Sequence, residues 1–278
     1  MKTFLVTGAS TGIGEACALH LDSLGHRVYA GVRKDSDGDR LRAAASDRLR
    51  PVSLDVTDEG QVAAAAALVE REVGSLDGVV NNAGIAVGGA LEHLPIEDWR
   101  HQLEVNVIGQ VSVTKAVLPL IRRATGRIVF MGSMSGRIGT VMLGPYCASK
   151  FAIEAIGETL RTDLHPWGIK VAIVEPGGVK TPIWEKAEAD MATALRDWDP
   201  AVLEQYADHA AAMQKAIALQ AKNGVPPEKV AKAVEHALLA RRPKLRYPVG
   251  ADARGGAVMV RLLPDRPREA ILRKALGL

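Results

Sequence analysis

Aromatic residues are scarce, at 4% of 278 residues. Surfaces that stack bases need such side chains in number, and a formal net charge of +3 gives little pull toward a polyanion. Nucleic acid is therefore not an expected partner. Cysteine is nearly absent. Cys17 and Cys147 each fall in a helical stretch, with no disulfide-rich composition around them, so two free thiols in a reducing cytoplasm are expected. No apolar run approaches the ~20 residues that span a bilayer. A Gly-rich motif is under way by Gly8, which leaves no room for a signal peptide ahead of it. The expected location is cytoplasmic. No cluster of His, Cys and carboxylates has metal-ligand spacing, so no metal is expected.

What is present is an alternation. Short β-rich runs at Thr3–Val6, Arg27–Gly31, Arg50–Leu54, Gly78–Val80, Arg127–Met131, Lys170–Val174 and Arg246–Val249 are separated by longer helical patterns. The helical stretches include Ile13–Leu24, Gln61–Val73, Ile96–Arg122, Tyr146–Leu164 and Pro227–Leu239. Several runs are continuously apolar, as parallel strands covered on both faces must be. The pattern predicts βαβ units and an α/β, doubly wound sheet flanked by helices. No linker or repeat divides the chain, so a single domain over 1–278 is expected. Two departures stand out: a long Ala-rich insertion at about 181–224, and a C-terminal extension at about 251–278.

The first strand runs into Thr7-Gly8-Ala9-Ser10-Thr11-Gly12-Ile13-Gly14 and then a helix. Glycines allow a tight turn and close approach of backbone to a pyrophosphate, and the helix N-terminus offers free N–H groups. The second strand ends at Val32, where an NAD-selective site usually carries an acid for the ribose 2′-hydroxyl. Arg33 follows instead, and a guanidinium suits a 2′-phosphate. Asp35 and Asp37 lie close enough to weaken that field. NADP(H) is the favoured cofactor, with NAD(H) left open.

Tyr146-Cys147-Ala148-Ser149-Lys150 opens a helix, and its Tyr and Lys, four apart, share one face. A free phenol titrates near ~10, and an adjacent ammonium lowers that value toward useful acid–base range. Ser133 lies just past the fifth strand, at the end that faces the ligand crevice in such sheets, where a hydroxyl can donate to a substrate oxygen. Asn81-Asn82-Ala83-Gly84 follows another strand end, and Asn106 lies in the next helix.

Together these residues resemble the short-chain dehydrogenase/reductase family, in the family's order, over roughly Thr3 to Ile183. The resemblance implies a Rossmann-like domain with a seven-stranded parallel sheet, a homodimer or homotetramer, and hydride transfer between nicotinamide and a carbonyl or alcohol carbon. It implies roles as well. Tyr146 exchanges the substrate proton, Lys150 bonds the nicotinamide ribose and lowers the Tyr146 pKa, and Ser133 orients the substrate oxygen. Asn106 holds a water in a proton relay. Asp55 and Val56 with Asn82, Ala83 and Gly84 line the adenosine side. Pro176-Gly177-Gly178-Val179-Lys180-Thr181 covers the nicotinamide and its phosphates.

On the substrate side, Ile138, Val141, Met142, Leu143, Ile183 and Trp184 are apolar. They read either as the wall of a lipophilic pocket or as ordinary packing. The stretch from Tyr146 through His165-Pro166-Trp167-Gly168 is most similar to the retinol and 17β-hydroxysteroid dehydrogenase branch. The tail is basic (Arg254, Arg261, Arg266, Arg268, Arg273 and Lys274 against Asp265 and Glu269). Packing over the pocket or on a second subunit is expected of it, rather than contact with a membrane surface. An NADP(H)-sensing regulatory protein without turnover is the alternative from another class.

Overall fold

Short, continuously apolar runs explain the sheet. In the computed structural model, which describes residues 1–183 and 198–277, seven parallel strands lie in the order β3-β2-β1-β4-β5-β6-β7. They are β1 (Thr3–Val6), β2 (Arg27–Val32), β3 (Leu49–Ser53), β4 (Gly78–Asn81), β5 (Arg127–Met131), β6 (Lys170–Pro176) and β7 (Arg246–Val249). Side chains two apart share a face. Phe4, Val6, Val28, Ala30, Val80, Val129 and Val174 therefore point to one layer. Leu5, Tyr29, Val79, Ile128, Phe130 and Val171 point to the other.

Helices cover both layers. On the first lie α1 (Gly12–Ser23), α2 (Asp35–Ala44) and, far along the chain, the helix Pro227–Leu239. On the second lie α3 (Glu59–Val73), α5 (Gly109–Ala124) and α6 (Gly144–Asp163). The chain reverses direction across the sheet between β1 and β4, which opens a crevice at their C-terminal ends.

Two elements differ from the sequence reading. Helix α2 was not anticipated, because Asp35–Ala44 is almost wholly polar and buries only Gly38 and Leu41. The expected helix Ile96–Arg122 is divided into α4 (Ile96–Leu103), a π-helical turn at Glu104–Ile108, and α5. The described part of the insertion forms α7 (Pro200–Gln205) and α8 (Ala207–Asn223), followed by α9 (Pro227–Leu239). The C-terminal extension forms α10 (Ala251–Leu262) and α11 (Asp265–Leu276). Helix α10 packs on the short turn Met134–Gly136 beside Ser133, and α11 touches α8.

Candidate active site

The Gly-rich turn is built by its neighbours. Gly8 and Gly12 both take φ +61°, the left-handed region that glycine occupies without strain. The Thr7 hydroxyl accepts from the Asn82 and Ala83 N–H groups at 3.0 Å each. The Asn82 amide donates back to the Thr7 and Gly8 carbonyls at 3.0 Å. A Cβ on Gly14 would stand 2.1 Å from the Gly8 oxygen, so the first turn of α1 lies directly against the loop. Thr11 makes no side-chain cap there, which leaves the first N–H groups of α1 without intrahelical partners. Thr181 stands over Gly12, within 3.1 Å of where a Cβ would be. This cradle of free donors, too narrow for side chains, fits a dinucleotide pyrophosphate.

At the end of β2, Arg33 is exposed, and no carboxylate pairs with it among the described residues. Asp37 leans instead toward Arg40, at 3.9 Å. Arg40 also donates to the Ser10 carbonyl and the Glu15 carboxylate. Asp55 accepts from the N–H and hydroxyl of Thr57 at 3.0 and 2.8 Å, and its own N–H donates to Gln61 at 2.9 Å. Val56 is buried against Gly109.

The catalytic candidates converge on the end of β5. Ser133 lies two residues beyond Met131, and its oxygen accepts from the Ser135 N–H at 3.1 Å. The Tyr146 phenol, in the first turn of α6, lies close enough to Ser133 for that hydroxyl to favour its ionised form. Lys150, one turn further, donates to the Met131 carbonyl at 2.8 Å and lies 5.6 Å from the Tyr146 ring centroid. The two reactive hydroxyls and the ammonium thus hang from one strand end and one helix face.

Asn106 comes from the π turn and is fully buried. Its oxygen accepts from the Ile85 N–H at 2.8 Å, while its amide donates to the Ile85 carbonyl at 3.0 Å and to Ser149 at 3.1 Å. Ser149 in turn donates to the Tyr146 carbonyl at 2.7 Å. Asn106 therefore clamps the segment that follows Gly84 to the helix that carries Tyr146. π turns recur at functional sites because the extra residue aims a side chain inward.

The electrostatics are set by burial. Lys150 is pushed down to about 8 by desolvation, with the Glu154 carboxylate opposing. Tyr146 is pushed up by desolvation, and the nearby Ser133 hydroxyl pulls it back. The ammonium is directed at the Met131 carbonyl, and burial sets the net upward direction of the phenol.

Around this centre, Val141, Met142 and Leu143 join Met213, Ile217, Ala210 and Trp198 in one apolar cluster. The expected wall is thus continued by α8, which sequence alone did not assign to it. Ile138 and Ile183 are half-buried, and Trp184 lies outside the described residues. Trp99, to which no role was given, sits beneath the start of α6, 3.5 Å from where a Gly144 Cβ would be. His93 packs with Trp198 and Tyr206. Asp252 was also missed. It accepts from the Gly178 N–H at 2.7 Å and so ties α10 to the Pro176–Thr181 loop. Glu154, Glu175 and Arg246 were missed as well; each lies within an apolar or mixed run that gives no sign of its partners.

A parallel sheet of this order, a Gly-rich cradle at its switch point and a Ser–Tyr–Lys cluster beside it define a nucleotide-binding oxidoreductase. The chain belongs to the short chain dehydrogenase family, which it matches over residues 2–192. It is 40% identical over 263 residues to mitochondrial D-beta-hydroxybutyrate dehydrogenase of Bos taurus, covering 88% of this chain and 76% of that protein. It is 38% identical over 275 residues to retinol dehydrogenase 5 of Mus musculus, covering 96% and 86%. Such relatives place it in the retinol and 17β-hydroxysteroid dehydrogenase-like branch. A short-chain dehydrogenase from Streptomyces avermitilis superposes with a TM-score of 0.79 at 30% identity, over 99% of this chain and 94% of that one. The chain is accordingly a hydride-transfer oxidoreductase that uses a nicotinamide cofactor.

Proposed function

We propose that this enzyme uses NADP(H) to interconvert an alcohol and a carbonyl on an apolar substrate, with Ser133, Tyr146 and Lys150 as its catalytic residues and Asn106 holding them in place. The observation that carries the reading is the convergence of Ser133, Tyr146 and Lys150 on the Met131 end of β5. In the reductive direction Tyr146 gives its proton to the substrate oxygen as negative charge grows there, and Ser133 donates a hydrogen bond to the same atom. The oxidative direction reverses the proton. The buried Lys150 ammonium stabilises the phenolate that proton donation leaves behind. When bound, the nicotinamide supplies or takes the hydride. Gly8 to Gly14 and Thr181 would hold its phosphates, Asp55, Val56 and Asn82 to Gly84 its adenosine side, and Pro176, Gly177 and Val179 the nicotinamide side. Arg33, unpaired among the described residues, would hold a 2′-phosphate.

Met142, Met213 and Ile217 beside the site support an apolar substrate, as does the likeness to retinol dehydrogenase 5. The likeness to D-beta-hydroxybutyrate dehydrogenase favours a short hydroxy acid instead. A panel of retinoid aldehydes, steroid ketones and short β-keto acids, followed by nicotinamide absorbance with NADPH and NADH, separates the two. Tyr146→Phe should cut turnover at least ~100-fold without loss of cofactor binding. Arg33→Ala should raise the KM for NADPH by about 10–100-fold, the worth of a charge-assisted hydrogen bond, and leave NADH unaffected. A preference for NADH overturns the Arg33 assignment, and cofactor binding without turnover on any substrate favours the sensing protein.

The same reading takes the chain as a cytoplasmic homodimer or homotetramer. Two free, buried cysteines support the reducing compartment. Ile108, 53% exposed, and Phe151, 46% exposed, offer apolar surface beside α5 and on α6 for a second subunit. Cell fractionation and sedimentation velocity test the two statements.

A further inference from the structure

Behind Lys150, two acids meet in the interior. Glu154 lies on α6 one turn past Lys150, and Glu175 is the residue of β6 directly before Pro176. Glu154 is 8% exposed and Glu175 0%. Arg246 of β7 places its Nε 2.8 Å from Glu154 Oε2 and 3.4 Å from Glu175 Oε1, while its other end bonds Glu158. Arg137, from the turn that follows Ser133, reaches Glu175 at 3.6 Å.

Two guanidinium groups attend the pair, yet its hydrogen bonding is incomplete. Glu154 Oε1 and both oxygens of Glu175 are buried with no hydrogen-bond partner. An ionised carboxylate has no proton to offer, whereas a protonated one donates. One proton between the two acids supplies the missing donor. It also relieves the repulsion that prevents two adjacent carboxylates from ionising together. Desolvation, with the Glu154 charge beside it, lifts Glu175 to about 7, in the same direction.

The pair touches each segment of the site. A Cβ on Gly132, between Met131 and Ser133, would stand 3.2 Å from Glu154 Oε1. Lys150 feels the Glu154 charge. Glu175 leads into the Pro176 loop, and Arg137 leads back to Ser133.

We propose that Glu154 and Glu175 share a single proton and act together as positioning residues, their one net negative charge keeping Lys150 protonated while Arg246 and Arg137 hold the pair against the Ser133 turn. The proposal rests on the catalytic reading of Tyr146 and Lys150. The charged groups that face the pair are Lys150 and Glu158 on α6, Arg137 after Ser133, and Arg246 on β7. The sign follows from Coulomb's law. The Glu154 charge raises the Lys150 pKa, so removing it lets the ammonium lose its proton at lower pH.

The test is the pH profile of kcat for wild type, Glu154→Gln, Glu175→Gln and Glu175→Leu, with infrared spectra of the same proteins. Glu154→Gln leaves the negative charge on Glu175, which unlike Glu154 does not act on Lys150, and should move the alkaline limb about one unit toward acid. Glu175→Gln, which mimics the protonated acid, should keep the wild-type limb and recover turnover that Glu175→Leu loses. At neutral pH the wild type should show the carbonyl stretch of a protonated carboxyl group, absent from Glu175→Gln. A lowered kcat with an unmoved limb in Glu154→Gln would reduce the pair to a structural role. Absence of the infrared band would mean that both acids are ionised, and would overturn the shared proton. The band is read without turnover, so it still decides the proton if Tyr146→Phe shows that the catalytic reading is wrong.

Discussion

At the scale of single residues, the tightest approach of backbone to backbone is at Gly14. A methyl group there would meet the Gly8 oxygen at 2.1 Å and the Asn82 amide nitrogen at 2.5 Å, both of which belong to the loop's own bonding. Gly14→Ala must therefore push α1 away from the turn. We expect a loss of about 1–3 kcal/mol of stability, as for other overpacked sites, read by urea unfolding. Cofactor affinity should fall with it in a fluorescence titration, because the same displacement moves the free N–H groups. Gly14 was legible in the sequence, as were Tyr146, Lys150 and Ser133, because local spacing and a neighbouring strand end mark them. Asp252, Glu154 and Glu175 were not. Their partners lie far off in sequence: Asp252 is 74 positions from Gly178, and Arg246 is 92 from Glu154. A carboxylate within an apolar run carries no sign of which distant cation or N–H it meets.

At the scale of elements, strands read well and one helix read wrongly in an instructive way. Continuous apolar runs specify buried parallel strands, so all seven were found to within a residue or two at their ends. The π turn was hidden because helical hydrophobic spacing continues on both sides of it, and a single extra residue barely disturbs the pattern. Its consequence is local: Asn106 meets Ile85 and Ser149 together. Asn106→Ala would orphan the Ile85 N–H and carbonyl in a buried position. Each unsatisfied group costs about 1–3 kcal/mol, so a total loss of roughly 2–6 kcal/mol is expected in chemical denaturation. Turnover should fall while KM for the cofactor holds, since the Gly-rich cradle is tied through Thr7 and Asn82 instead. The polar helix α2 escaped notice for the opposite reason, having almost no apolar stripe to read.

At the scale of the molecule, strand order was not written in any local pattern, yet it brings all seven strands and both flanking layers into one sheet system. We propose that residues 1–278 unfold as one domain, with a single calorimetric transition. Its pH dependence should have two arms. Glu175 rises from 4.5 to about 7 on folding, so the fold keeps that proton longer than the unfolded chain does. The stability it adds is complete below about 4.5 and is lost as pH rises toward about 7, a fall on the order of 1–3 kcal/mol. Glu175→Gln should remove this arm. Lys150 drops from 10.5 to about 8, so stability recovers between those values as the unfolded chain alone holds the proton. Lys150→Met should remove the second arm. Helix α1 packs along α9, and His20 meets Glu235 across 215 positions of chain. Proteins are synthesised at about 5–20 residues per second, so α1 leaves the ribosome roughly 10–40 s before its cover exists. For that interval the apolar side of the nucleotide-binding half is bare. A growing chain of this protein is therefore a client for whatever holds nascent apolar surface apart, and any ribosome that stalls before α9 releases a product with an open flank.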